Sequence, residues 1–478
     1  MHQWKMTLEE LTAATGGQVV SQREHEFNGI GTDSRADLSG QIFFALKGDA
    51  FDAHDFLPQA AKAKAAALVV HKLPPPEILK LIEASTTVVK VDDTLKALQN
   101  LANFWRHKMK ATILGITGTN GKTTTKEFTA AILETKFKVQ YSKGSFNNHW
   151  GVPISLLSIK PDHEIAVIEM GMNHPGELKD LSFIVEADAV VCTMVGRGHL
   201  EGVGSIEGVA KAKSEIYEYA TKNATFIFNM DNEQTRQMAT TLAATRPLEK
   251  VLRFSQAGAW PDIDVQLDVV SAEAEMLHVH GQIQGQAGET SVPVFGRQNI
   301  TNLMTAASFA LFCGMTPSEI WLALPKCKTV WGRNQWVHLE SGAKALFDAY
   351  NANPESMRAA VENFAALKSL GRKIGVFGEM RELGTHAPAL HHELGKAIGA
   401  AGFDEVLFVG PSKAEFAAGL KDGGFCKTPY LSIAYEQNLA SDLLPMLNEK
   451  DIVLIKGSRG MQLEKALADL KPLNFKAK

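Results

Sequence analysis

From residue 112 onward the chain alternates short, wholly apolar runs with longer segments whose apolar positions recur at helical spacing. Thr112–Thr117, 165–170, 189–195 and Thr225–Asn229 are such runs. Strands covered by helices on both faces of a parallel sheet carry this pattern, because neither face meets water. Between residues 262 and 294 the alternation is closer to a period of two, which predicts an antiparallel side piece. A second alternating series begins after Trp331, with 374–377, Glu405–Val409 and 452–455 as strands. The first ninety residues carry a helix over 7–15, extended pieces at 41–46 and Ala67–Val70, a turn at 74–76 and a strand at 88–91. Thr94–Lys108 then reads as a helix capped by Asp92 or Asp93, with Leu95, Leu98, Leu101 and Trp105 on one face. The expected fold class is α/β, in three domains: a small N-terminal domain over 1–92, a central parallel-sheet domain over 93–330 and a C-terminal Rossmann-like domain over 331–478.

A length of 478 residues suits three domains, and 45% hydrophobic with 21% charged residues is a globular balance. The net charge of −4 gives no electrostatic footprint for nucleic acid, so no such partner is expected. Any anionic ligand must be held by local cations, metals or backbone NH groups. Cys192, Cys313, Cys327 and Cys426 form no CxxC pair, which argues against a disulfide framework or structural zinc and suits a reducing cytoplasm. No apolar run approaches the ~20 residues that span a bilayer, and Glu9 and Glu10 spoil a signal peptide. A cytoplasmic protein without membrane insertion is the expectation.

The strongest chemical signal is Gly115-Ile-Thr-Gly118-Thr119-Asn120-Gly121-Lys122-Thr123-Thr124, placed after a strand and opening a helix. Backbone NH groups of such a loop converge on phosphate oxygens, and the helix N-terminus adds partial positive charge. Lys122 would reach the outer phosphates and Thr123 would hold Mg²⁺. Ile116 stands where a strict Walker A loop has its first glycine. A loop of this kind does not by itself separate a kinase, an ATPase and a ligase.

The segment 117–124 resembles the loop of the Mur ligases, ATP-dependent amide-bond-forming enzymes of peptidoglycan synthesis. The likeness continues through Lys143-Gly-Ser-Phe-Asn147-Asn148, Val167-Ile-Glu169-Met-Gly171, His199-Leu-Glu-Gly and Val209-Ala-Lys-Ala-Lys213. Gly296-Arg-Gln-Asn299-Ile-Thr-Asn302, Gly332-Arg333, Asp348-Ala-Tyr350-Asn-Ala-Asn353-Pro and Gly378-Glu-Met-Arg-Glu-Leu-Gly384 follow in family order. The resemblance implies a three-domain Mur ligase architecture with a central P-loop ATPase-like domain. It also implies acyl-phosphate chemistry: a substrate carboxylate attacks the γ-phosphate of ATP, and an incoming amine then displaces phosphate. Within the family, Asp348–Met357, Gly378–Gly384 and Thr32-Asp-Ser-Arg35 point to the branch that adds D-alanyl-D-alanine to a UDP-N-acetylmuramoyl-tripeptide, working as a monomer.

By the same resemblance, Lys122, Glu169, His199, Lys213 and Arg333 form the catalytic set, with two Mg²⁺ ions held by Thr123, Glu169, His199 and Lys213. Lys213 matches the lysine that most Mur ligases carry as a carbamate, N6-carboxylysine. ATP would be bound by Gly118, Thr119, Asn120, Gly121, Lys122, Thr123 and Thr124, by Asn299 and Asn302 toward the adenine, and by Arg333, Asp348, Tyr350 and Asn353 from the C-terminal domain. An Asn amide offers both a donor and an acceptor, although Asn299 also suits a helix N-cap. Ser34, Arg35, Phe44 and Lys47 with Lys143, Asn147 and Asn148 would meet the UDP substrate. The usual glycine of one N-terminal turn is Ala53 here, so a positive φ there would be strained. A sibling that adds a diamino acid should carry an Asp-Asn-Pro motif, absent from this sequence. A pure nucleotide switch would have no use for Glu169, His199 and Lys213 together.

Overall fold

The computed structural model describes residues 4–48, 51–142, 144–245, 248, 250–256, 260–443 and 446–473. The N-terminal region holds a five-stranded sheet in the order Gln18–Ser21, Thr87–Lys90, Ala67–Val70, Gln41–Phe44, Gly29–Gly31, parallel except at its first pair. Pro76 begins a helix, Pro76–Glu83, so the turn expected at 74–76 is a helix start: Pro at the first helical position lacks only an N–H that has no partner there anyway. Thr7 and Glu10 form a capping box for Leu8–Thr15, which ends at Gly16 in the left-handed region.

Asp93 caps Thr94–Lys108, accepting from Leu95 N (2.7 Å) and Lys96 N (2.9 Å), a cap worth about 1 kcal/mol. Leu98, Leu101 and Trp105 are buried on its inner face. The Trp105 and Trp4 rings lie 4.6 Å apart, and their indole N–H groups donate to Ile159 O (2.8 Å) and Leu157 O (2.7 Å) of the central domain. Each ring fully buried this way contributes roughly 2–3 kcal/mol, and the two tie the N-terminal sheet to the central one.

The central sheet has nine strands, in the order Gln286–Val292, Leu277–Ile283, Val265–Ala272, Val251–Ser255, Thr225–Asn229, Ala189–Cys192, Thr112–Thr117, Ile165–Glu169, Val139–Tyr141. The last seven are parallel, and the period-two region forms the antiparallel end of the same sheet. After Thr112–Thr117 the chain first builds to one side and then crosses to Ala189–Cys192 on the other. The crevice at the carboxyl ends of these two strands is therefore a topological switch point, where open α/β sheets bind ligands.

The C-terminal sheet runs Gln335–His338, Lys344–Asp348, Ile452–Lys456, Lys373–Gly378, Glu405–Val409, Tyr430–Ser432, parallel after its first pair. Its carboxyl edge carries Asp348, Lys456 and Glu379, and that edge faces the carboxyl edge of the central sheet. Phe295 meets Trp336 at 5.6 Å, and Trp336 stacks at 6.5 Å on Phe364 where the two domains join. Among the described residues no helix is long and apolar enough to cross a membrane.

Candidate active site

The loop from Gly118 to Gly121 leaves the central strand and turns into the helix Lys122–Leu133. Gly118 has φ 146°, and a Cβ there would stand 1.9 Å from Thr193 Oγ1. That hydroxyl is committed, donating to Asn120 O at 2.6 Å. Gly121 (φ 85°) abuts Asn302 Oδ1 in the same way. Glycine is required at both positions because backbone, not side chain, must line the phosphate cradle. Gly118→Ala is expected to weaken ATP binding at least tenfold in a fluorescent-nucleotide titration while the helical signal persists.

Lys122 is half-buried and donates to Gly118 O at 2.7 Å. Burial chiefly lowers its pKa, with the Arg333 cation adding to the effect and Glu169 opposing it. Thr119 Oγ1 accepts from Gly196 N (3.0 Å), while Asn120 and Asn353 exchange amide hydrogen bonds of 3.1 and 2.7 Å across the domain boundary. Thr123 Oγ1 accepts from Arg333 Nη2 at 3.2 Å, and the guanidinium lies 4.6 Å over the Tyr350 ring. Thr124 lines the adjoining cavity.

That cavity, of about 240 Å³, lies between Asn120, Thr124, Asn299, Asn302, Arg333 and Asp348. Asn299 is the first residue of the helix Asn299–Phe312, not its cap; its Nδ2 donates to Phe295 O, and its Oδ1 accepts from Asn302 Nδ2 at 2.9 Å. Asp348 Oδ2 takes the buried Lys456 ammonium at 2.5 Å and Oδ1 takes Asn334 N at 3.2 Å. Lys456, Asn334 and Glu355 line this cavity and escaped the sequence reading. For Lys456 the available signal was a charged residue ending an apolar strand of a doubly wound sheet.

Beside the loop lies a second buried group. Glu169 is 1% exposed; Oε1 accepts from Asn147 Nδ2 at 2.8 Å, and Oε2 meets no partner among the described residues. Lys213 is fully buried with an unpartnered Nζ, and burial, reinforced by Lys122, brings its pKa down to about 7. Burial chiefly lowers the His199 pKa, opposed by the Glu382 carboxylate and reinforced by Lys122 and Lys213. The ring Nδ1 lies 2.7 Å from Glu382 Oε2, a close contact off the in-line direction of a hydrogen bond. No three His, Cys, Asp or Glu side chains among the described residues form a metal-holding cluster. A conventional ligand set is therefore incomplete, while the orphaned Glu169 oxygen and Lys213 amine fit a centre completed by a carbamate at Lys213.

The N-terminal candidates fare differently. Phe44 is fully buried, so the expectation that it meets the UDP substrate is corrected: this strand has cover on both faces, Phe43 packing into one core and Phe44 into the other. Phe51 and Phe56 are the exposed aromatics nearby. Arg35 is exposed and grips Asp33 at 2.8 and 2.9 Å; Ser34 is half-buried and Lys47 exposed. Ala53 opens a 3₁₀ turn without a positive φ, so the strain anticipated there is absent. Asn148 Oδ1 accepts from Gly151 N at 2.9 Å, which starts the helix Gly151–Leu157. Lys143 lies outside the described residues.

Three family models match in succession: the Mur ligase family catalytic domain over 26–106, the Mur ligase middle domain over 116–310, and the Mur ligase glutamate ligase domain over 332–459. The chain belongs to the Mur ligase family and has its three-domain α/β architecture. It is 33% identical over 471 residues to the UDP-N-acetylmuramoyl-tripeptide--D-alanyl-D-alanine ligase of Bacillus subtilis (strain 168), covering 98% of each chain. The crystal structure of MurF from Acinetobacter baumannii superposes with a TM-score of 0.85 at 27% identity, over 98% of this chain and 99% of that one. MurF ligase from Thermotoga maritima in complex with ADP superposes with a TM-score of 0.77 at 25% identity, over 92% and 96%.

Proposed function

We propose that this chain joins D-alanyl-D-alanine to UDP-N-acetylmuramoyl-tripeptide at the expense of ATP, in the cytoplasm and as a monomer, as one step of peptidoglycan precursor synthesis. The observation that carries the reading is the buried group beside the phosphate loop: an orphaned Glu169 oxygen, His199 and a lysine whose amine is unpartnered. A pKa near 7 leaves a large neutral fraction of Lys213 at physiological pH, against a reference near 10.4. Only the neutral amine attacks CO₂; the N–C bond forms, a proton leaves, and a cation becomes an anionic oxygen ligand.

Thr123, Glu169, His199 and the Lys213 carbamate would together hold two Mg²⁺ ions, which supply charge neutralisation where one anion must approach another. The remaining work belongs to the chain. NH groups of 118–124 and the Lys122 ammonium bind the phosphates, and Arg333 reaches in from the closing domain. Asn299 and Asn302 face the adenine, and Asp348, paired with Lys456, lines the nucleotide; Tyr350 supports Arg333, and Asn353 locks onto Asn120. Ser34, Arg35 and Lys47, with Asn147 and Asn148, would meet the UDP substrate, as would Lys143 by its place in the sequence motif. The domain division 1–92, 93–330 and 331–478 then separates UDP-substrate binding, ATP binding and closure. With the two substrates so held, the tripeptide carboxylate attacks the γ-phosphorus as ADP leaves; the dipeptide amine then attacks the acyl carbon and phosphate departs.

The test offers the purified enzyme two pairs: UDP-tripeptide with D-Ala-D-Ala, and UDP-dipeptide with lysine or diaminopimelate. Product and ADP are expected from the first pair only. Efficient turnover of the second alone would assign the chain to the diamino-acid branch.

A further inference from the structure

We propose that Glu382 is a positioning residue for catalysis: carried in by the C-terminal domain, it holds the His199 ring by Nδ1 and so commits Nε2 to the reaction centre. The proposal rests on the reading of His199 as a metal ligand given above. The contact spans two domains and 183 residues of sequence, with Glu382 Oε2 2.7 Å from Nδ1. Neither ring nitrogen makes an in-line hydrogen bond among the described residues; Nδ1 has Oε2 at 2.7 Å and Nε2 has no such neighbour, so Nε2 is the nitrogen left for the centre.

Both residues sit in the left-handed region, His199 at φ 60° and Glu382 at φ 64°. Side chains as large as these rarely adopt it, and such strain persists only where the surroundings over-determine it. Here they do. Met380 N donates to His391 Nε2 (2.9 Å), Arg381 N to Ser458 Oγ (3.0 Å), and Ser412 Oγ to the preceding Glu379 carboxylate (2.6 Å). From the other domain, Glu201 N donates to Glu382 O at 3.2 Å. The loop bearing Glu382 is thus pinned from behind by its own domain and from the front by the turn that bears His199. A carboxylate on the far ring nitrogen orients a ligating histidine and raises its basicity, and removing such a partner typically costs 10–100-fold in metal affinity or activity. Since Glu382 arrives with the closing domain, His199 is fully oriented only when the two sheet edges meet.

Glu382→Gln, Glu382→Asp and Glu382→Gly test this, each measured for kcat, for KM of both substrates and of ATP, and for Mn²⁺ affinity in the presence of ADP. The expected result for Gln and Gly is a 10–100-fold fall in kcat with KM for ATP changed less than about threefold, and a matching loss of Mn²⁺ affinity. Asp should recover part of both. Gly relieves the left-handed backbone and should melt no lower than wild type, which a merely structural ion pair would not allow. Wild-type kcat and Mn²⁺ affinity in Glu382→Gln, or a loss confined to KM for ATP, would overturn the proposal. Mn²⁺ binding needs no ligation, so it reports on Glu382 even if the wild-type enzyme joined a different substrate pair.

Discussion

Lys213→Ala should lose at least 100-fold in ligation rate and regain a measurable part of it on addition of millimolar acetate or formate. The ground is the buried pocket that alanine vacates, beside an orphaned Glu169 oxygen, which a small carboxylate can enter in place of the carbamate. Intact mass under CO₂-retaining conditions should show wild type heavier by one carboxyl group and the variant unmodified. Stability moves the other way for Lys213→Met in CO₂-free buffer. The native amine has its pKa lowered to about 7, whereas the unfolded one titrates near 10.4. Between these values the unfolded chain binds the extra proton, so wild-type stability rises with pH across that window and is weakest below pH 7. Methionine removes the desolvation cost, and the variant should melt higher than wild type at pH 7. A rate near wild type, or the absence of any carboxylate rescue, would remove Lys213 from the reaction centre.

The second large effect is Lys122→Ala, for which kcat/KM is expected to fall by 10²–10³ or more, the magnitude lost when one preorganised donor to developing charge is removed. The fold should survive. Lys122 is half-buried and its one side-chain hydrogen bond among the described residues goes to Gly118 O, so its loss opens no core cavity and forfeits a bond worth only ~1 kcal/mol. Melting curves should overlay those of wild type while ADP release stops. A folded variant with substantial turnover would refute the phosphate-clamp role.

How far the sequence could be read depended on whether a residue acts within its own element. Thr112–Thr117 followed by Gly118–Thr124 is legible because strand, turn and helix start are local matters of hydrophobic run, glycine and cap. The burial of Glu169 and Lys213 was foreseeable in part, since each lies on an element whose apolar face is visible in the sequence. Glu382 and Glu355 were not legible as site residues: their importance lies in what faces them from another domain, at separations no periodicity encodes. Lys456 offered only a charge ending an apolar strand, and its partner Asp348 stands 108 residues earlier in the same domain. Phe44 misled for a related reason. Alternation along a strand says which side chains share a face, but not that helices cover both faces.

The two sides of the boundary between the central and C-terminal domains differ in material. Where the chain crosses over, Phe295 meets Trp336 edge-on and Trp336 stacks on Phe364, an aromatic pivot. Where the sheet edges meet, the contacts are polar: Asn120 with Asn353, and Arg197 with Glu355 at 2.9 Å and Glu393 at 3.3 Å. Parting the pivot would expose aromatic surface and cost several kcal/mol. Parting the polar side returns amides and ions to water that bonds them nearly as well, so each contact is worth only ~1 kcal/mol net. An enzyme that must admit three substrates and release three products on every cycle is thereby spared a sticky mouth: it can gape and shut many times without its jaws welding together.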